Sequence, residues 1–363
     1  MRSPLPPPRT PLGPQARSEG PHRPFSLRFS LGVLGLITAL GAFGPWLAPY
    51  DPDEQLDVNG GRLRPPLTHL HAIEQAHGVW RLADRVERTA DGLRYERLGN
   101  PRTLAASEVR NLTDDGVADR RFFLLGSDAF GRDILSRWLH GARVSLLIGI
   151  LSVGLAMTLG VLVGSLAALG PRWLDGLLMR LVDGLLAFPW LFLVITLGAL
   201  FHTSPTTLIL VLGGTSWMSI ARLTRGEVLG LSERGFVQAS RAMGAATART
   251  LWRHLLPNAL PPLLIAATLR IGNLILFEAV LSYLGLGVQP PHASWGNMIA
   301  EGREHLASAW WITTFPGLAL VLTVLALNLM GDELRTLLDP RSAESRNPAN
   351  PRPRPETAGV EVG

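Results

Sequence analysis

The sequence has no cysteine, and all 34 of its basic residues are arginine because it has no lysine either. The first absence excludes a disulfide framework, a thiolate nucleophile and a cysteine-ligated zinc or iron–sulfur centre. The second excludes a GxxxxGK[ST] phosphate loop, a Schiff base and a kinase-type phosphate lysine. Nucleotide hydrolysis by this chain alone is therefore not expected. Neither HExxH nor GxSxG occurs, and the histidines are scattered, so the chain offers no metal site of its own.

What the sequence does have is long apolar stretches, uncharged except for Arg270 and Glu278 in the fifth. Its mean hydropathy of +0.22 is modest only because apolar runs alternate with polar ones. The runs are Leu31–Ala48, Val144–Leu169, Leu185–Phe201, Ser204–Ala221, Pro261–Leu286 and Ala309–Met330. Each is close to the ~20 residues that a helix rising 1.5 Å per residue needs to cross ~30 Å of hydrocarbon. The fold class expected is an all-α integral membrane protein of six transmembrane helices. No A-x-A site follows Leu31–Gly44, so the first run reads as a retained span rather than a cleaved signal peptide.

The arginines orient these spans. With the N-terminus inside, the inner segments 1–28, 170–184, 221–258 and 331–363 hold 18 arginines, and the two short outer loops hold only Arg303. Residues 51–139 hold 13 more beside 15 acidic residues, but a segment that long translocates regardless of charge. Both termini are thus expected in the cytosol, and the net charge of +5 reflects topology and not nucleic acid. The division this implies is a disordered tail over 1–28, a first helix over 29–50, an outer polar segment over 51–139, a five-helix core over 140–332 with a cytosolic loop over 222–258, and a second tail over 333–363. Within the outer segment, Val79–Arg88 and Leu93–Leu98 flank a Gly-containing turn and read as a β-hairpin. At that length the segment is expected to lean on the helices or a partner for its core.

The loop between the fourth and fifth runs is the most informative. Phe236, Ala239, Ser240 and Met243 fall at i, i+3, i+4 and i+7, an apolar stripe on a short helix that Gly244 ends. A second helix over Thr247–Leu256 carries Arg249 and Arg253 on one face and is expected to stop at Pro257. Physical reasoning alone leaves two readings, an amphipathic element on anionic lipid or a docking foot for another protein.

The spacing of Gln238-Ala239-Ser240, Gly244 and Leu256-Pro257 resembles the EAA loop of bacterial ABC-importer membrane subunits. Gln238 stands where that family has glutamate, and Ser240 where it has alanine. Further runs resemble the dipeptide/oligopeptide/nickel permease group, closest to its dipeptide "C"-type permease: LGSDAFGRD at 125–133 with GARVS at 141–145, LLAFP at 185–189, LSYLGLGVQPP at 281–291, SWGNM at 294–298, and NLMGD at 328–332 with LDP at 338–340. The resemblance implies the ABC-importer permease fold and a place in the bacterial inner (plasma) membrane. It implies a second homologous permease, two ABC ATPases that bind the ATP and Mg, and an extracytoplasmic solute-binding protein. No cofactor is expected on this chain, and the cargo is expected among peptides, peptide-like solutes or nickel complexes. Phe236, Gln238, Ala239, Ser240, Met243, Gly244, Ala245 and Pro257 would carry ATPase coupling.

Three further polar groups lie at membrane depth. Arg270 at a bilayer centre costs ~2.5–3.5 kcal/mol on insertion scales and should face a bundle interior, water or a partner. With Asn273 and Glu278 it is a candidate lining of the translocation pathway, although packing accounts equally for Arg270 and better for Glu278. Trp295, Gly296 and Asn297 are candidates for an outer gate or docking surface, or for an interfacial anchor. Gly160 and Gly164 form a GxxxG pair suited to close helix packing. The competing classes are an intramembrane enzyme, which would need a nucleophile with a base or a metal motif, and a channel, which would have no ATPase foot.

Overall fold

The computed structural model describes residues 24–110, 119–201 and 204–338. Most of both expected tails, 1–23 and 339–363, lies outside the described residues, as does the end of the LDP motif. Pro24–Arg28 and Glu333–Leu338 are helical.

The first helix, α1 (Pro24–Leu47), leads into a one-turn helix, α2 (Val58–Gly61), and six strands: β1 (Thr68–Glu74), β2 (Trp80–Ala83), β3 (Arg85–Thr89), β4 (Gly92–Arg97), β5 (Asn100–Ala105) and β6 (Asp119–Phe123). These make two three-stranded sheets, ordered β2-β1-β6 and β3-β4-β5. The β3–β4 pair is antiparallel, with Thr89 opposite Gly92, whose φ of +152° suits glycine. The strand expected over Val79–Arg88 is divided at Asp84. Its carboxylate takes two bonds from Arg64, at 2.6 and 3.1 Å, and the chain changes sheets there. The two sheets bury apolar clusters, one of them Ile73, Ala83, Leu93, Tyr95, Leu104 and Val109, and the same segment also leans on the helices, with Leu63 and Leu125 packed against Ile134, Met298 and Trp311. Asp57 ties the pieces together. It caps α2 through the Gly60 N–H, accepts from the Leu82 N–H at 2.9 Å and pairs with Arg97 at 2.6 Å.

The helical part begins with α3 (Ile134–Leu169), N-capped by Asp133, whose carboxylate accepts from the Ser136 N–H at 2.7 Å. Next come α4 (Arg172–Ala187) and α5 (Trp190–Leu200), bent by 84° at Phe188-Pro189, and α6 (Pro205–Ser232). The third expected span is thus not one helix. α5 alone is about 16 Å long, and only the bent pair has the length of a crossing. Proline at 189 has no N–H for the helical ladder and starts α5 instead of continuing α4.

A short helix, α7 (Gly235–Ala242), precedes α8 (Thr247–Thr250), a wide π-turn over Leu251–Leu255 and α9 (Leu256–Tyr283). The last three form one continuous helix of 37 residues. Pro257 therefore does not stop the second helix, as its position suggested. It sits in the first turn of α9, where the wide turn before it removes the need for its N–H. Two helices complete the fold, α10 (Trp295–Gly302), capped by Ser294, and α11 (Trp311–Leu338).

Among the described residues five helices are long and apolar enough to cross a membrane, and the bent pair makes a sixth candidate. Glycines show how they pack. A Cβ at Gly160 would stand 2.6 Å from the Ile220 Cβ, and one at Gly164 would stand 2.7 Å from the Thr224 Cβ. These two glycines and Gly213, which meets Ser152 and Leu155, set α3 and α6 parallel and in close contact. Ser145 bonds Glu278, and Gly149 meets Ile275, so α9 runs antiparallel to α3. The sheets and α10 accordingly lie at one end of the bundle, and α7 lies at the other.

Candidate functional site

The end with α7 forms a foot. Its anchor is Val237, fully buried among Val228 and Leu231 of α6, Leu255 of the π-turn and Ala259 of α9. Ser240 also turns inward. Gln238 is exposed and donates to the Glu233 carbonyl at 3.1 Å, bracing the entry to α7. Gly244 ends the helix at φ +84°, its N–H on the Arg241 carbonyl at 2.9 Å, while Ala245 donates to Ser240 at 3.2 Å. The i, i+3, i+4, i+7 stripe therefore does not form one buried face. Phe236 is 44% and Met243 84% exposed, and Ala239 is exposed beside them. The buried pair is Val237 and Ser240, and Val237 was missed because it lies off the assumed stripe. Nothing stands within 4 Å of a Cβ placed on Gly244. The foot thus shows a free apolar surface held on a rigid base, with Pro257 exposed just beyond the π-turn.

The other sequence candidates separate. Arg270 and Asn273 border one cavity of about 240 Å³ with Ser219, Leu223 and Leu269. Arg270 donates to the Ser219 hydroxyl and, at 3.5 Å, to the Ser216 carbonyl. Glu278 does not join them. It is fully buried, accepting from Ser145 at 3.1 Å and Ser282 at 2.8 Å, and fixes α9 against α3. Trp295, Gly296 and Asn297 are also buried, so they present no exposed docking surface. The Trp295 indole donates to the Trp138 carbonyl at 3.2 Å, and the Asn297 amide donates to His292 at 2.7 Å. A Cβ at Gly296 would come within 2.5 Å of the Ala279 Cα. Their charge-free, glycine-containing sequence marks a tight seat of α10 on α9.

The sheet end carries a buried charge cluster that sequence reasoning missed. Asp128 accepts from the Phe130 and Arg132 N–H groups at 2.8 and 2.9 Å and pairs with the Arg132 guanidinium at 2.6 Å. Arg132 reaches Glu301 of α10 at 2.8 Å, and Arg137, fully buried, reaches the same carboxylate at 3.1 Å. Burial pushes the Glu301 carboxyl above the usual carboxylate range, while Arg137 and Arg132 pull against it. Burial likewise raises Asp133 against its bonds from Ser136. The signal available in sequence was the acid–base density of 128–137 directly before an apolar run, a position where unpaired charge cannot persist.

Comparison with known proteins places this geometry. Residues 160–344 match the family described as binding-protein-dependent transport system inner membrane component. Residues 28–66 match the N-terminal transmembrane domain of oligopeptide transport permease C. The di/tripeptide transport system permease protein DppC of Pseudomonas aeruginosa is 38% identical over 322 residues, which span 87% of this chain and 90% of that protein. A putative peptide transport system permease protein of Brucella suis is 45% identical over 218 residues, 60% of this chain and 73% of that one. Among solved structures, an inward-facing form of the MetNI methionine ABC transporter aligns at TM-score 0.48 and 21% identity, over 56% of this chain and 96% of that chain. The chain belongs to the binding-protein-dependent transport system inner membrane components, as an ABC-importer permease of the dipeptide/oligopeptide group, a multi-pass protein of the bacterial inner membrane and a transport subunit in place of an enzyme.

Proposed function

We propose that this chain is one of two permease subunits of an ATP-driven importer of short peptides, and that its foot over 235–257 receives one of two ATPase subunits. The observation that carries this reading is the free apolar surface of Phe236, Ala239 and Met243 on a helix anchored by Val237. An exposed apolar patch rimmed by charge is the mark of an interaction site. Arginine counts put the foot in the cytosol and the sheets outside. ATP and Mg belong to the partner ATPases, a solute-binding protein delivers cargo at the sheet end, and Arg270 and Asn273 border the pathway shared with the second permease.

Mechanically, the foot is continuous with the pathway. α7 rests on the end of α6 and the start of α9, and α8, the π-turn and α9 run as one helix from Thr247 past Arg270 to Tyr283. A displacement of the foot by the ATPases therefore moves α6 and α9 as packed bodies, which is alternating access by rigid-body motion. Peptides as cargo follow the named relatives, DppC of Pseudomonas aeruginosa and the Brucella protein.

The test is purification of the chain from its native membrane in mild detergent, with Gly244→Arg in parallel. The substitution meets no neighbour within the chain but projects onto the free surface and opposes the positive φ. Wild type should bring a second permease and P-loop ATPases, and the variant should keep the permease and lose the ATPases. A wild-type chain that purifies alone overturns the reading.

A further inference from the structure

Two cavities adjoin on α6, one of them against α4 and the other against α9. One, of about 370 Å³, is lined by Leu186, Ser219, Arg222, Leu223, Gly226 and Glu227. The other is the Arg270–Asn273 cavity, and the two share Ser219 and Leu223. The charges on this groove are unevenly matched. Arg222 is paired with Asp183 of α4, and Arg225 below it holds Asp175 through two bonds of 2.6 Å. Arg270 has only neutral partners among the described residues, the Ser219 hydroxyl and the Ser216 carbonyl. Glu227 has no ion-pair partner among them. The two unmatched charges are of opposite sign, and Ser219 lies eight residues from Glu227 on α6, about 12 Å along the helix axis.

A guanidinium at membrane depth without a counter-ion is costly, and such groups persist where they meet a partner or a transported ligand. Its planar fork suits a carboxylate, with the Asn273 amide and Ser219 hydroxyl beside it as further donors. An extended chain spans about 3.3–3.6 Å per residue, so 12 Å matches three to four residues. We propose that the groove is a transit site for a zwitterionic peptide, with Arg270 holding its C-terminal carboxylate and Glu227 facing its N-terminal ammonium. This rests on the importer reading above, and it makes the permease itself, beyond the binding protein, selective for a free α-carboxylate. Arg270 reaches the ligand through donors only, so neutral termini leave it unpaired and pass more slowly.

The experiment uses the complete importer in proteoliposomes with its binding protein, supplied with trialanine or trialanine amide at concentrations that saturate that protein. Wild type should carry trialanine at least tenfold faster than the amide. Arg270→Gln should slow trialanine at least tenfold and bring it near the amide's rate, with the complex intact. Arg270→Lys, which keeps the charge, should recover part of the difference. Equal slowing of both peptides by Arg270→Gln would overturn the proposal, because Arg270 would then serve packing. Loss of the second permease from the variant complex would overturn it as well, because Arg270 would then be the partner of a carboxylate on that subunit. An absence of ATP-driven uptake with wild type is a separate failure, that of the importer reading itself.

Discussion

Replacing Glu301 by alanine removes the one carboxylate that both Arg132 and Arg137 reach across from α10. In the intact protein Glu301 takes Arg132 at 2.8 Å and Arg137 at 3.1 Å, and Asp128 takes Arg132 at 2.6 Å and Arg137 at 3.6 Å. Asp53, at 3.8 Å from Arg137, is more than a third exposed and adds little. Without Glu301, two buried guanidiniums share the single carboxylate of Asp128. Breaking a buried pair on one side costs about 3–5 kcal/mol, since the remaining charge has lost its partner and has no water. At about 1.4 kcal/mol per decade, even the lower figure raises the population of the locally open form about a hundredfold. The amides that report this are Phe130 and Arg132, which donate to Asp128, and Arg137 N–H, on the Asp133 carbonyl at 3.2 Å. Hydrogen exchange followed by mass spectrometry on peptides covering 126–140 should show protection falling by roughly that factor. Peptides from 150–165, at the far part of α3, should not change. Adding Arg137→Met should recover part of the loss, because it removes the orphaned charge. Protection over 126–140 within threefold of wild type would refute the cluster as the lock between α10 and the start of α3.

Other expectations follow from single contacts. Gly160→Ala places a methyl against the Ile220 Cβ and should destabilise by about 1–3 kcal/mol, whereas Gly154→Ala, with open space around it, should be neutral or mildly stabilising in the same thermal unfolding assay in detergent. Burial and the Arg120 charge hold the His71 imidazole below its ordinary range. Its folded form is therefore favoured neutral, so stability of the strand it sits on is full above about pH 6.5 and is lost as pH falls towards the depressed value. Protection of the β1 amides, corrected for the intrinsic slowing of exchange in acid, should fall on acidification, and His71→Gln should flatten that dependence. Gly296→Ala should block the seat of α10 on α9, seen as loss of folded protein on size-exclusion chromatography.

The sequence revealed the parts governed by length and local chemistry. Apolar runs gave the crossings, Gly160 and Gly164 marked a helix contact, and the order of Gln238, Gly244 and Pro257 marked the foot. The losses have physical reasons. An apolar run over Leu185–Phe201 reads as one helix whether or not Pro189 turns it by 84°, because hydropathy has no direction. Pro257 reads as a stop unless a π-turn precedes it, and that turn depends on Leu255 packing against Val237. The stripe on α7 was assigned by helical period, but what it packs against is α6, which favours Val237 over Phe236. Glu278 and Trp295 both resemble functional groups by residue type. Only their partners, Ser145, Ser282 and the Trp138 carbonyl, reveal packing roles. The charge cluster joins residues up to 169 positions apart, beyond any local pattern.

The absence of native cysteine makes the most direct test of the foot simple. Met243→Cys or Phe236→Cys, carrying a short thiol-directed photocrosslinker, would be the only reactive thiol of this chain in the native membrane. Phe130→Cys, exposed at the sheet end, is the comparison site. Crosslinks from 243 and 236 to the P-loop ATPases, with none from 130, are the predicted result. Crosslinks from 243 and 236 to lipid alone, in membranes where the ATPases are present, would contradict the account.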